Sequence, residues 1–188
     1  MIITPRTELD ALNEILNSIG EDGITTLEDV SENVDATTAK RFLESVSREI
    51  QQEGWDFNTY PTMVLQPSTI NGKIRWDSSW LRTGGTTYRN RGGFVYDVTN
   101  NTDIFSTAIT LSNVVQCIPF DELPDVFRKY VTARASLGFA SRFLGDADIE
   151  SALSSEVGKA YADVITYELD MQKPNIFNNT SVTEVGTR

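Results

Sequence analysis

Apolar residues recur at helical spacing in the first part of the chain. A stripe that repeats every three or four residues consists of Leu9, Leu12, Leu16 and Ile19. Thr7 and Asp10 fit a capping box, so we predict that a first helix begins near Thr7 and stops at Gly20. A loop of roughly fifteen residues follows, which is long for a compact domain.

A second helix is predicted over residues 35–53, with Asp35 as its N-cap and Gly54 after its end. The third predicted helix has Pro124 in its first turn, where a missing N–H costs little. It carries two neighbouring apolar stripes, one of Val126, Tyr130, Ala133, Leu137, Ala140 and Leu144, the other of Phe127, Val131, Ala135, Phe139 and Phe143. Two such stripes indicate a helix that is buried on most sides and lies at the centre of the fold.

A fourth helix is predicted over residues 146–172, after a break at Gly145 and Asp146, and Pro174 stops it. Because this connection is so short, the third and fourth helices should be antiparallel neighbours.

The period changes to that of strands between Trp55 and Ile118. Short β-type runs occupy residues 94–96, 104–105, 108–111 and 114–118, and Asn- or Gly-rich pairs separate them as turns. Among these turns, Asn71-Gly72 is the best two-residue hairpin candidate. Trp55 and Phe57 lie where the helical spacing gives way to the strand-like spacing, and we expect them to hold the helical and β parts together.

These elements predict an α+β fold, a four-helix bundle with a small antiparallel β insertion between helices 2 and 3. Residues 1–54 and 119–172 form the discontinuous bundle, residues 55–118 the insertion, and residues 173–188 an extended C-terminal tail. The tail is polar with scattered apolar residues, a pattern typical of a segment that orders on a partner. Those residues are Ile176, Phe177, Val182 and Val185.

The first helical part and the β insertion also differ in their balance of acidic and basic residues. The chain of 188 residues has a formal charge of −11, and residues 7–54 hold 12 acidic against 3 basic residues. Residues 55–118 hold 4 acidic and 5 basic residues and are therefore nearly neutral. A phosphate-binding surface over the whole protein is improbable with this balance.

Several kinds of chemistry are excluded by composition. The chain has no His and a single Cys, Cys117. Triads that use imidazole, imidazole zinc sites and disulfides within the chain are therefore excluded. No apolar run approaches the roughly 18 residues of a membrane span, and the N-terminus lacks an apolar signal core. We expect a soluble protein of a reducing cytoplasm, without a cofactor or stable membrane binding.

Two functions remain open on the residues alone. A glycoside hydrolase needs only a pair of carboxylates, and the candidates beside apolar residues are Asp56, Glu122 and Asp97. They form no spacing signature, and the simpler interpretation is that they are caps and turn residues. Gly92-Gly93 lacks the following helix of a phosphate loop and is interpreted as a turn. The acidic helical face could instead imitate DNA and inhibit a DNA-binding protein.

Four segments carry a family resemblance. They are ALNEILNSIGE (11–21) with TLE (26–28), REIQ (48–51) with GWDFN (54–58), NRGGFVYD (90–97), and FDELP (120–124) running on to RFLG (142–145). In this order they resemble the tail tubular protein A family of short-tailed bacteriophages. The resemblance covers most of residues 9–150 and does not extend clearly beyond residue 173.

The resemblance implies a structural adaptor, or gatekeeper, of the virion tail rather than an enzyme. Such proteins form a ring of twelve copies below the portal protein, connect it to the tail nozzle protein (tail tubular protein B), and let the viral DNA pass without specific binding. We expect the helical bundle to make the ring contacts. The tail residues Ile176, Phe177, Val182 and Val185, together with the end of helix four, should grip the portal. The aromatic residues of the insertion should face the nozzle, namely Trp76, Trp80, Tyr88 and Tyr96.

Overall fold

The computed structural model describes residues 5–171 and has four helices and two small antiparallel sheets. The helices are α1 (Glu8–Asn17), α2 (Val34–Gln52), α3 (Asp125–Phe143) and α4 (Ala147–Met171). The strands, all between α2 and α3, are β1 (Thr59–Leu65), β2 (Trp80–Arg82), β3 (Tyr88–Arg91), β4 (Phe94–Asp97) and β5 (Ile109–Gln116). The predicted α+β class is therefore confirmed.

The start of α1 follows the predicted capping box. The Thr7 hydroxyl accepts from the Asp10 N–H, and the Asp10 carboxylate accepts from the Thr7 N–H at 2.9 Å. Gly20, with φ of +82°, takes the left-handed conformation after the helix. The four apolar residues Ala11, Leu12, Ile15 and Leu16 are fully buried.

The start of α2 corrects two predictions. Its N-cap is Asn33, whose side chain accepts from the N–H groups of Asp35 and Ala36, so the predicted cap at Asp35 is wrong by two residues. The preceding loop also contains a short 3-10 helix, Leu27–Ser31. That helix is fixed because Asp29 accepts from Thr26 N–H at 2.8 Å.

The third helix lies at the centre of the helical part, as its two stripes predict. It packs against α1, α2 and α4, and Phe127, Val131 and Phe139 have no exposed surface. Pro124 stands at the N-cap, one position before the first turn where it was predicted. Leu137 is only half-buried, so it contributes less to the core than its place in the stripe predicts.

The fourth helix runs antiparallel to α3, as predicted from the short connection. Phe127 lies against Tyr167 with ring centroids 6.0 Å apart, and Tyr130 lies against Tyr161 at 5.4 Å. Only Ala160, Val164 and Glu168 of α4 are buried, at a spacing of four residues. The helix therefore packs on one side, and its apolar residues Tyr161, Leu169 and Met171 are largely exposed.

The insertion has more strands than the sequence predicts, and different ones. One sheet has the order β1-β5-β2, and β3 pairs with β4 as a separate hairpin. The predicted runs 108–111 and 114–118 are parts of a single strand, β5, which continues through Asn113 with φ of +47°. Ile104-Phe105 is not a strand.

The two-residue hairpin lies at Gly92-Gly93 and not at Asn71-Gly72. Arg91 pairs with Phe94 across it, and both glycines have positive φ, +61° and +79°, as a type I′ turn requires. Asn71-Gly72 lies in a wider turn, in which the Ser68 N–H donates to the Lys73 carbonyl at 2.9 Å.

Two hydrophobic clusters fill the molecule. The larger is formed by the four helices and the short segments beside them, and the smaller by Ile74, Val95, Ile109, Leu111 and Val114 of the insertion. No helix among residues 5–171 combines the length and hydrophobicity that crossing a bilayer demands.

Candidate assembly surfaces

A buried polar junction connects the helices to the insertion. Gln51, with 1% exposure at the end of α2, accepts from the Ile118 N–H at 2.7 Å and donates to the Ile118 carbonyl at 3.0 Å. Asn58 is fully buried and donates to the carbonyls of Gln51 and Gln116. These bonds tie the chain entering the insertion to the chain leaving it, and sequence analysis missed both residues because an isolated amide side chain carries no spacing signal.

Aromatic packing strengthens the same junction. The Trp55 ring meets the Phe127 ring edge-on, with their centroids 5.1 Å apart. The centroid of the Phe57 ring lies 4.5 Å from that of Phe127. The Trp55 indole N–H donates to the Ile50 carbonyl at 2.7 Å. Trp55 and Phe57 therefore pack on the helical cluster just before the chain enters β1, which is where the sequence analysis expects them.

Three of the four aromatic residues expected at the nozzle line the smaller cluster. Trp76 and Trp80 contact each other edge-on at 5.1 Å, and Tyr88 lies 6.2 Å from Phe105. All three pack against the cluster and remain half-exposed. Trp76 and Trp80 also line an open hollow of about 470 Å³ beside Asp77. These side chains thus support the insertion and still present surface to a partner.

Tyr96 lies on the other face of the hairpin. Tyr88 pairs with Asp97 and Arg89 pairs with Tyr96, and adjacent residues of a strand point to opposite faces. The four expected residues therefore do not form one continuous surface. The inner face carries Val95, fully buried, and Ile74, which accepts from the Val95 N–H at 2.9 Å.

The outer face of the hairpin combines cations and aromatic rings. The Arg91 guanidinium lies 3.7 Å from the centre of the Tyr96 ring, and the Lys73 ammonium lies 5.3 Å from the Phe94 ring. Arg75 forms an antiparallel bridge with Phe94, which places it on the same face. We call this surface the basic-aromatic face, and its members are Lys73, Arg75, Arg89, Arg91, Phe94 and Tyr96.

The candidate catalytic carboxylates have structural surroundings. Asp97 accepts from the N–H groups of Thr99 and Asn100 and from the Asn100 side chain, at 2.8–2.9 Å. Two hydrogen bonds from Asn100 hold the pKa of Asp97 below its usual value, and the bond from the backbone N–H has a larger effect than the bond from the side chain. A carboxyl with a lowered pKa does not suit a proton donor. Asp56 and Glu122 are exposed. The hydrolase interpretation gains no support, and among the described residues no group of three His, Cys, Asp or Glu is placed to hold a metal ion.

The expected portal residues lie outside the described residues. Ile176, Phe177, Val182 and Val185 follow Met171, the last residue of α4. Their role stays a prediction.

The comparison with known proteins identifies the family. The family model described as tail tubular protein matches residues 9–174, which is most of the chain. The match covers α1 from its second residue, the other three helices and both sheets. No curated protein matches the chain. Agreement over this length confirms the resemblance that the four sequence segments indicate. The chain therefore belongs to the tail tubular protein family and is a structural component of a phage tail.

Proposed function

We propose that this protein is the ring-forming adaptor that connects the portal protein to the tail nozzle and lets the genome pass. The observation that carries the proposal is the family match over residues 9–174, because it spans the helical part and the insertion together. Twelve copies form the ring in this proposal. The protein binds the genome only transiently and makes or breaks no bond.

The packing of the helices supports a rigid building block. α3 is buried against three other helices, and the Gln51–Ile118 bonds fix the insertion to the end of α2. An adaptor must transmit the position of one neighbour to the other, and a single polypeptide with two firmly joined cores meets that need.

The charge distribution supports a channel through which DNA slides. The formal charge of −11 opposes lasting contact with phosphates, and residues 7–54 carry a large share of it. A ring whose lumen presents the carboxylates of the helices in this block, such as the exposed Asp10 and Glu44, would repel the duplex on all sides.

Two parts of the chain are assigned to the two neighbours. We assign the exposed edges of Trp76, Trp80 and Tyr88 to the nozzle, because half-exposed aromatic side chains held by a core are typical of protein interfaces. We assign residues 173–188 to the portal, because their apolar residues are scattered along a polar segment.

The test measures the mass of complexes between the full chain and isolated portal protein. Twelve copies bound to each portal ring are expected, and a variant that lacks residues 174–188 should lose portal binding while keeping its helical circular dichroism. The Trp80→Ala/Tyr88→Ala variant is the matched comparison, since it should still bind the portal and fail to recruit the nozzle protein. Absence of portal binding by the full chain would overturn the proposal, and nozzle recruitment by the double variant would overturn the aromatic assignment.

A further inference from the structure

Most cations of the basic-aromatic face have no carboxylate partner within residues 5–171; Arg89 donates only to the backbone carbonyls of Gly85 and Tyr88. Of its four cations only Lys73 forms an ion pair, with Asp103 at 2.6 Å. Arg75, Arg89 and Arg91 are exposed, and none of them pairs with a carboxylate within residues 5–171. Three arginines without a carboxylate partner among the described residues stand out in a protein with a formal charge of −11.

Exposed apolar side chains accompany these arginines. Ile70, in the loop between β1 and β2, is 94% exposed, and Val98 and Ile104, in the segment between β4 and β5, are 52% and 60% exposed. Arginine and aromatic side chains beside apolar ones are typical of protein interfaces. A surface that bound only DNA phosphates would have no use for the apolar residues, so the occupant that fits is a protein with an acidic surface.

A surface of that kind exists on the same polypeptide. Residues 7–39 contain nine acidic residues and no basic one. Five of the nine lie in the segment 21–33, which we call the acidic loop, namely Glu21, Asp22, Glu28, Asp29 and Glu32. Leu27, 42% exposed, and Val34, 80% exposed, add apolar surface beside them. The acidic loop therefore complements the basic-aromatic face in charge and in hydrophobicity.

The two surfaces are attached to opposite ends of α2. The acidic loop packs on the first turns of α2, where the Thr37 hydroxyl donates to the Val30 carbonyl at 2.6 Å. The insertion is fixed at the other end, where the Arg82 guanidinium donates to the Glu53 carbonyl. A helix of 19 residues is about 28 Å long, and within residues 5–171 no ion pair joins the two surfaces.

We propose that the basic-aromatic face of one subunit docks on the acidic loop of a second copy of this chain. The inference rests on the proposed ring and names its lateral contact. Two different surfaces of the same chain make a head-to-tail contact, and such contacts generate closed rings when the rotation between subunits permits closure.

The test exchanges the charges of the two surfaces in full-length protein. The reversed-face variant is Arg75→Glu/Arg91→Glu, and the reversed-loop variant is Glu28→Arg/Glu32→Arg. These residues are exposed, and none takes part in an ion pair of the described chain. Self-association is measured by sedimentation velocity over a range of protein and salt concentrations, and circular dichroism checks the fold.

Each variant alone should associate at least about tenfold more weakly than the wild type, because like charges then face each other. An equal mixture of the two should recover association, because every contact between unlike subunits is again favourable. The control Arg41→Glu/Lys159→Glu makes the same charge change on α2 and α4 and should associate as the wild type does.

Three results would overturn the inference. They are a wild type that stays monomeric at every concentration, single variants that associate normally, and a mixture that does not recover. If a reversed-face variant kept self-association and lost binding to a DNA duplex, the face would belong to nucleic acid instead. The proposed function fails by a different result, the absence of portal binding by the wild type.

Discussion

The substitution Gln51→Leu tests how the two cores are joined. The side chain is 1% exposed and satisfies both the N–H and the carbonyl of Ile118. Leucine has a similar volume and makes neither bond. An unsatisfied buried backbone group costs about 1–3 kcal/mol, and Ile118 is half-buried, so we expect a total loss of about 2–4 kcal/mol. In a protein of this size that corresponds to a fall in Tm of roughly 4–16 °C.

The assay is urea unfolding followed by two probes. All three tryptophans lie at the junction or in the insertion, so fluorescence reports that part, whereas far-ultraviolet circular dichroism is dominated by the four helices. The wild type should unfold in one transition with both probes. In Gln51→Leu the fluorescence transition should move to lower urea than the circular dichroism transition, because the insertion is no longer tied to α2.

The neighbouring glutamine provides the control. Gln52 is exposed and makes no side-chain hydrogen bond within residues 5–171, so Gln52→Leu should change the free energy of unfolding by less than about 0.5 kcal/mol. If Gln51→Leu and Gln52→Leu gave the same midpoint with both probes, the junction would contribute nothing to the union of the two cores.

Three further predictions concern single elements. Phe139→Ala should lower the free energy of unfolding, measured in urea, by about 3–5 kcal/mol, because this side chain is fully buried in α3. Phe143→Ala should lower it much less, because Phe143 is 46% exposed. Equal losses would contradict the central place of α3. Thr7→Ala removes the cap of α1 and should cost about 1 kcal/mol, and no change in the midpoint would refute the cap. Because the N–H groups of Asn100 lower the folded pKa of Asp97, its contribution to stability is present above about pH 3.9 and is lost as the pH falls through the folded pKa. Thermal melts between roughly pH 5 and pH 2.5 should therefore fall less steeply for Asp97→Asn than for the wild type, and parallel curves would count against this.

The helices could be predicted from the sequence because their signals are local. The capping box at Thr7, the double stripe of α3 and the break at Gly145 each specify an element within a few residues. The cap of α2 was misplaced because Asn33 and Asp35 are both good capping residues, and only the backbone geometry distinguishes them.

The strands could not be predicted to the same extent. β1 contains Pro61, and all seven of its positions are exposed or half-exposed, which is tolerated because β1 is an edge strand of its sheet. β2 has three residues, and β3 consists of Tyr88 followed by polar residues only. β1 and β2 pair with β5, which is distant in sequence, so no local period reveals them.

The candidate surfaces depend on that pairing. Sequence analysis grouped Tyr88 with Tyr96, and the register of β3 and β4 separates them onto opposite faces. The basic-aromatic face would have been detectable if the Gly92-Gly93 turn had been chosen as the hairpin, because strand alternation then places Arg89 beside Tyr96. The Gln51 junction had no comparable signal, since its meaning comes from Ile118, 67 residues away.

The central claim is that this chain forms the ring between portal and nozzle, and a cryo-electron microscopy reconstruction of the virion neck tests it most directly. The account predicts twelve copies of this chain between the portal and the nozzle, with the acidic helical surface toward the DNA channel. A reconstruction in which the chain lies elsewhere in the tail, or in which the portal contacts the nozzle directly, would contradict it.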